Sequence, residues 1–298
     1  MSNILFPPSR PQSVGEVLDT AFRIYGRTLV KCLQYSFPSV IIGQLLNGYD
    51  IMHRHANSVA ALHAAQLQKV TDPLWYLLLA VLVVSSTILA NALLLRQYAL
   101  ASGRAASTAA ELSLAVKRMP GILLIALLII LMMVAIGFPI GILAAAAGGF
   151  GPGQAKFTTV TLVLALYVLV VSWLVIRWIC VGPTYLLTER SPTESLSHSW
   201  RLTQGNFWRL SAIYAICVIL LAVFYVFASV IGATVALLVG HGDAVIVVAV
   251  TAAITALLAA FLTPFYHAVI LAVFGDLTVR REGGDLAQRL SAATAAVP

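Results

Sequence analysis

Residue types able to do chemistry are sparse in this chain. His53, Arg54 and His55, with Asp50 before and His63 after, form its one cluster of metal-ligating types. His-x-His alone sets no coordination geometry, and no second ligand pair stands at metal-site spacing, so no metal is assigned. A second set of residues is spaced regularly. Ser13–Glu16–Arg23, Thr108–Glu111–Arg118 and Ser191–Glu194–Arg201 each place a hydroxyl three residues before a glutamate and an arginine seven after it. Ser/Thr-x-x-Glu is the capping-box signature of a helix N-terminus, which uses the carboxylate to bind backbone N–H groups rather than to move protons. Arg177 and His267 are the deepest ionisable groups in the apolar stretches. Arg177 is expected to snorkel its guanidinium toward the headgroups. His267, after Thr263-Pro264-Phe265-Tyr266, reads as a packed neutral histidine. No apolar stretch carries Asp or Glu near its centre, which argues against a carboxylate-coupled pump. The sequence holds no Gly-rich phosphate loop, no Gly-x-Ser-x-Gly elbow and no His-Glu-x-x-His helix. No catalytic residue and no cofactor are therefore expected.

The elements that carry these residues are apolar. Of the 298 residues, 60% are hydrophobic and 10% are charged, with a mean hydropathy of +0.95. About a quarter of an ordinary soluble chain is charged, so this one cannot cover a water-facing surface. Six stretches, near 29–48, 74–95, 121–147, 159–187, 210–239 and 245–274, reach the roughly 20 residues needed to cross a hydrocarbon core. The alternating pattern of a barrel is missing, so the spans are helices. The expected fold is an all-α polytopic membrane protein of six transmembrane helices. It is read as one integral membrane domain, 1–298, made of three repeats near 13–95, 108–187 and 191–275. Each repeat is a short capped cytoplasmic helix followed by a transmembrane hairpin, and short tails, 1–12 and 282–298, flank them.

In the first unit Val14, Val17, Leu18, Ala21, Phe22 and Tyr25 form one helical stripe, predicting a helix in the interface plane or packed under the spans. The third unit matches it residue for residue: Leu196 for Leu18, Ser199 for Ala21, Trp200 for Phe22. The middle unit has Lys117 in place of the aromatic. A Glu and an Arg seven apart are too distant to pair within one helix, so the six charged residues are expected to pair between repeats. Residues 1–12, with three prolines, read as an extended lead-in, and 148–158 as a Gly/Pro-rich turn. Ser58–Val70 reads as a short helix in the longest outer loop, and Gly240–Asp243 as a tight connection. Gly137-Phe138-Pro139-Ile140-Gly141 should interrupt the third span or bring a neighbour close. Gln34 and Gln44 in the first span, with Ser85 and Asn91 in the second, define a candidate polar groove, though such residues more often hydrogen-bond between helices.

The charge distribution fixes orientation. With both termini inside, Arg54, Lys69 and Lys156 are the only outer cations among the 18 Lys and Arg. That asymmetry is the positive-inside pattern and fits an even number of spans. It places a multi-pass protein in a bacterial inner membrane with cytoplasmic termini. The net charge of +7 is thus a topology signal, not a nucleic-acid footprint. The basic face would meet anionic lipid headgroups. The first 27 residues lack a signal-peptide core. Cys32, Cys180 and Cys217 fall in or beside spans and read as buried hydrophobes.

Two motifs resemble a known family. They are Glu-x-Leu-x-x-Ala/Ser-aromatic-Arg, at Glu16–Arg23 and Glu194–Arg201, and Asp276-Leu277-x-x-Arg280-Arg281-Glu282-Gly283. Over nearly the whole chain the sequence is similar to the bacterial and archaeal membrane-domain family named after glycerophosphoryl diester phosphodiesterases. Members usually carry a Tyr-Tyr-Asp-Leu-Arg-like run where this chain has Phe274-Gly275-Asp276-Leu277-Thr278. In fused members the phosphodiesterase is a separate soluble barrel with a His-Arg-Gly segment, which this sequence lacks. The resemblance implies a polytopic membrane module without hydrolytic activity. The charged rim Glu16, Arg23, Glu111, Arg118, Glu194, Arg201, Asp276 and Arg280 would then be structural. The expected role is a membrane scaffold or accessory subunit contacting lipids or other membrane proteins. The alternative is a transporter or exporter of a small or lipid-like solute.

Overall fold

The computed structural model describes residues 4–53, 72–148, 153–240 and 244–283. All regular structure among them is helical: α1 (Val14–His53), α2 (Pro73–Ala101), α3 (Thr108–Gly148), α4 (Gly153–Arg177), α5 (Val181–Leu187), α6 (Pro192–Thr203), α7 (Phe207–Gly240) and α8 (Ala244–Glu282). Six stretches are long and apolar enough to cross a bilayer, the number that hydropathy predicts. Large apolar side chains face outward along them: Leu131, Leu169 and Phe227 are each more than half exposed. Such a surface would be unsustainable in water and is neutral in hydrocarbon, where only the backbone must be satisfied internally, as these helices do. The chain is an integral, multi-pass membrane protein.

Several local expectations change. The first capped helix and first span are one helix, α1, because no positive-φ residue or proline separates them and Gly26 stays helical. The middle capped segment likewise runs straight into its span in α3. Pro120 and Pro139 lie within that helix, so Gly137–Gly141 does not interrupt it. Only the third is a separate helix, α6, where Gly205 at φ 75° lets the chain turn before α7. The fourth span is not one helix. The helix ends at Arg177 and restarts as α5, whose first turn holds Pro183 where its missing N–H costs no intrahelical bond. Residues 153–158 are the first turns of α4, not a turn region. Gly283, at φ 62°, ends α8 in the left-handed conformation. Ser58–Val70, His55, His63 and the 241–243 connection lie outside the described residues.

The chain divides into two compact units, one formed by Met1–Met119 and Ala212–Pro298, the other by Pro120–Ser211. In the first, α1 packs against α2 and α8, and α2 against α8. The buried stripe of α1 is Val17, Ala21, Ile24, Thr28, Cys32 and Tyr35. It is rotated from the predicted one, and Phe22 sits at its edge with its ring 5.0 Å from that of Phe265. Small residues at the contact, Ala21 on α1 and Ala268 on α8, are fully closed off and let the backbones approach.

In the second unit, Ile125 of α3, Leu174 of α4, Trp178, and Val181 and Tyr185 of α5 form the core. Arg177 leaves its carbonyl free at the end of α4, and the hydroxyls of Ser199 (2.9 Å) and Thr203 (3.4 Å) donate to it from α6. Gly121 lies directly under the Tyr185 ring, where an added Cβ would sit 2.3 Å from Cζ. Gly121→Ala should therefore destabilise this unit by about 1–3 kcal/mol in thermal unfolding in detergent. Gly26→Ala, with nothing within 4 Å of its new Cβ, should be neutral or stabilising.

Candidate functional site

Among the described residues, the charged side chains that are buried as a whole, Arg96, Glu111 and Asp276, lie in the first unit. Arg96 is in the last two turns of α2 and Glu111 in the first turn of α3, and the loop between them reverses through Gly103 at φ 70°. Both side chains are less than a tenth exposed. Arg96 Nε lies 2.8 and 2.7 Å from the two Glu111 oxygens. Its Nη2 donates to Thr108 Oγ1 (2.7 Å) and Tyr35 OH (3.3 Å). Tyr35 in turn donates to Glu111 Oε2 at 2.6 Å, and the guanidinium lies 5.5 Å from the centre of its ring. A second polar link runs alongside. Gln97 Nε2 donates to the Pro264 carbonyl of α8 (2.7 Å) and to Thr28 Oγ1 of α1 (3.4 Å). A carboxylate with both oxygens taken by a guanidinium and a phenol is no poised base. The arrangement clasps the middle of α1 and the end of α2 to the start of α3, and α2 to α8.

The C-terminal motif does related work. Asp276 is buried, accepts from the Gln12 backbone N–H at 2.7 Å and pairs with Arg280 at 3.1 Å. Arg280 Nη2 also donates to the Gln12 carbonyl. The lead-in is thereby strapped down, its backbone non-helical over 4–13 and anchored at Gln12. Leu5 and Phe6 both donate to the Ala101 carbonyl at the end of α2. The Phe6 ring is buried, edge-on to Tyr98 at 5.3 Å and stacked on Phe274 at 6.3 Å. It fills the space over Gly275, where a Cβ would come within 2.8 Å of the ring. Gly275 is thus the slot that receives Phe6.

The remaining predicted residues disperse. Glu16 binds the Ser13 backbone N–H (2.7 Å) and pairs with Arg10, while Arg23 pairs with Asp19 one turn back at 2.9 Å. Glu194 completes the capping box with Ser191, and those hydrogen bonds, the backbone one foremost, hold its carboxyl below the usual range. Thr108 is the first residue of α3 rather than its cap, and Glu111 leaves the cap for Arg96. Arg118 is half-buried, and Arg201 is exposed with no ion pair among the described residues. Short-range partners along the same segment satisfy Glu16 and Arg23. Glu111 does reach another repeat, but through Arg96, which the seven-residue spacing could not signal. An arginine at the end of a span, fifteen positions from a glutamate across a turn, was the available cue.

Of the candidate groove, Gln34 is exposed, Gln44 is half-buried, and Ser85 donates its hydroxyl to the Val81 carbonyl of its own helix. Asn91 is buried with Nδ2 lacking a hydrogen-bond partner. His267 lies with Nδ1 2.9 Å from the Thr263 carbonyl one turn back. Cys32, Cys180 and Cys217 are buried free thiols.

Six apolar spans with few buried charges define a helical membrane module. Residues 154–282 match the family described as the membrane domain of glycerophosphoryl diester phosphodiesterase, the family that the sequence resembles. The match contains the Glu194–Arg201 and Asp276–Arg280 motifs, while Glu16 and Glu111 lie before it. No curated protein and no solved structure matches the chain.

Removing one member of a buried ion pair strands the other, at roughly 3–5 kcal/mol. Glu111→Ala and Arg96→Ala are each expected to lower the unfolding midpoint strongly, and Arg96→Met with Glu111→Leu to recover much of the loss. Gly275→Val should expel Phe6 while leaving the helices folded. Limited proteolysis should then remove residues before Val14 at least tenfold faster than in the parent protein.

Proposed function

We propose that this chain is a non-catalytic membrane module acting as a scaffold or accessory subunit through its basic end. The observation that carries the reading is the Arg96–Glu111–Tyr35–Thr108 clasp, in which buried charge is consumed by structure. Asp276 and Arg280 are consumed likewise by the Gln12 backbone. Neither group presents a charge to a cavity where a solute would be coordinated or cleaved. The family match supports the same reading, since its description names the membrane part of the phosphodiesterase.

The proposal includes three repeats within one domain. Supporting it, the Ser13 and Ser191 boxes share their geometry: each Glu N–H lies 3.3 Å from the Ser Oγ, and each Ser N–H donates to Oε2 of its glutamate, at 2.7 and 2.9 Å. It also includes cytoplasmic termini in a bacterial inner membrane, on the strength of the Lys and Arg asymmetry. The basic end would then face anionic headgroups and the inner ends of other membrane proteins.

Reconstitution in liposomes tests the role. The purified chain should neither move a fluorescent phospholipid between leaflets nor cleave glycerophosphodiesters. In cells, photo-crosslinkers at Arg104 and Arg190 should capture a defined membrane partner. Protein-dependent flux of lipid or solute would replace this reading with the transporter, and hydrolysis would overturn it.

A further inference from the structure

Arg177 ends α4 in the second unit in an unusual setting. Its guanidinium carbon lies 5.5 Å from the Trp173 ring centre and 5.4 Å from that of Trp200, and those two rings meet edge to face at 5.3 Å. The clamp holds the cation by its faces, yet Nε and Nη1 are closed to water and have no hydrogen-bond acceptor. Aromatic faces offset part of the charge but accept none of the directed N–H bonds. An unfilled guanidinium edge at the level of a tryptophan cluster, where tryptophan marks the membrane interface, calls for an oxyanion.

The same pair of helices carries an apolar cavity of about 440 Å³, lined by Gly137, Phe138 and Gly141 of α3 and Val163, Leu164 and Tyr167 of α4 among others. Gly137 opens it: a Cβ there would stand 3.0 Å from the Tyr167 ring. Tyr167 precedes Arg177 by ten residues, a rise of about 15 Å at 1.5 Å per residue. Half of a hydrocarbon core roughly 30 Å thick is also about 15 Å. With Arg177 at the headgroup boundary, the cavity lies near the bilayer centre, at the depth of an acyl chain.

We infer that the second unit binds one anionic phospholipid, its phosphate on Arg177 between Trp173 and Trp200 and one acyl chain in the cavity beside Gly137. Charge complementarity chooses the occupant, since a phosphate ester supplies the counter-charge that the two tryptophan faces do not, and a chain of the right reach. The inference sharpens the lipid-contact part of the proposed role and is separable from it, because a scaffold can lack this site and a transporter can possess it.

Native mass spectrometry of the full chain, titrated with phosphatidylglycerol or phosphatidylcholine, tests it. The parent protein should retain one phosphatidylglycerol at least tenfold more tightly than phosphatidylcholine, and inorganic phosphate should not displace it. Arg177→Gln should remove that preference. Gly137→Leu, which fills the cavity and leaves the cation in place, should weaken both lipids about tenfold. Equal retention of phosphatidylglycerol by the parent and Gly137→Leu proteins overturns the inference even if Arg177→Gln does not fold. Displacement by inorganic phosphate overturns the acyl half and reduces the site to a free anion site.

Discussion

A charge taken out of water must find its counter-charge inside the protein, and in hydrocarbon that rule has no exception through solvation. The clasp of Arg96 and Glu111 is this chain's answer, and the packing of its first unit depends on it. One guanidinium of α2 takes two carboxylate oxygens and a hydroxyl from α3 and a phenol from α1. Helices in lipid gain no hydrophobic drive toward each other, so close packing of small residues and satisfied polar contacts decide which ones associate. Here the polar contacts join the C-terminal turns of α2 to the middle of α1 and of α8, and small residues such as Ala21 and Ala268 serve the contact between α1 and α8.

The second unit solves a different problem. Its α4 stops at Arg177, and the freed carbonyl must be satisfied. Ser199 and Thr203 of α6 do so, which ties that short helix to the end of the span. Trp173 and Trp200 close on the arginine at the junction, and Trp178 packs beside Trp200. A helix break thus sets a carbonyl acceptor and an aromatic clamp side by side. The resulting cation is the part of the unit with capacity to spare.

Function follows from where polar groups are spent. In the first unit they are consumed by structure, at Arg96 and Glu111 and again where Asp276 and Arg280 hold the Gln12 backbone. The Phe6 strap shows how a segment outside the spans completes their packing. Gly275 leaves a gap on α8 and an aromatic from the lead-in fills it. Interior density is kept although a separate segment supplies the side chain.

Span number, helical character and the capping boxes at Ser13 and Ser191 were legible in the sequence because each depends on residues within one or two turns. Hydropathy is a local sum, and a cap needs only four neighbouring residues. The fusion of the first capped helix with its span was less legible, since it turns on the absence of a break at Gly26. The partner of Glu111 was decided only by tertiary structure. Fifteen residues separate Arg96 from Glu111, and Tyr35 arrives from 76 positions away, so no periodicity connects them. The same holds for Phe6 over Gly275 and for Trp200 over Arg177. Local energies set which segments are helices. Which polar groups meet is settled by packing, because in hydrocarbon a buried charge accepts whatever partner the fold can bring to it.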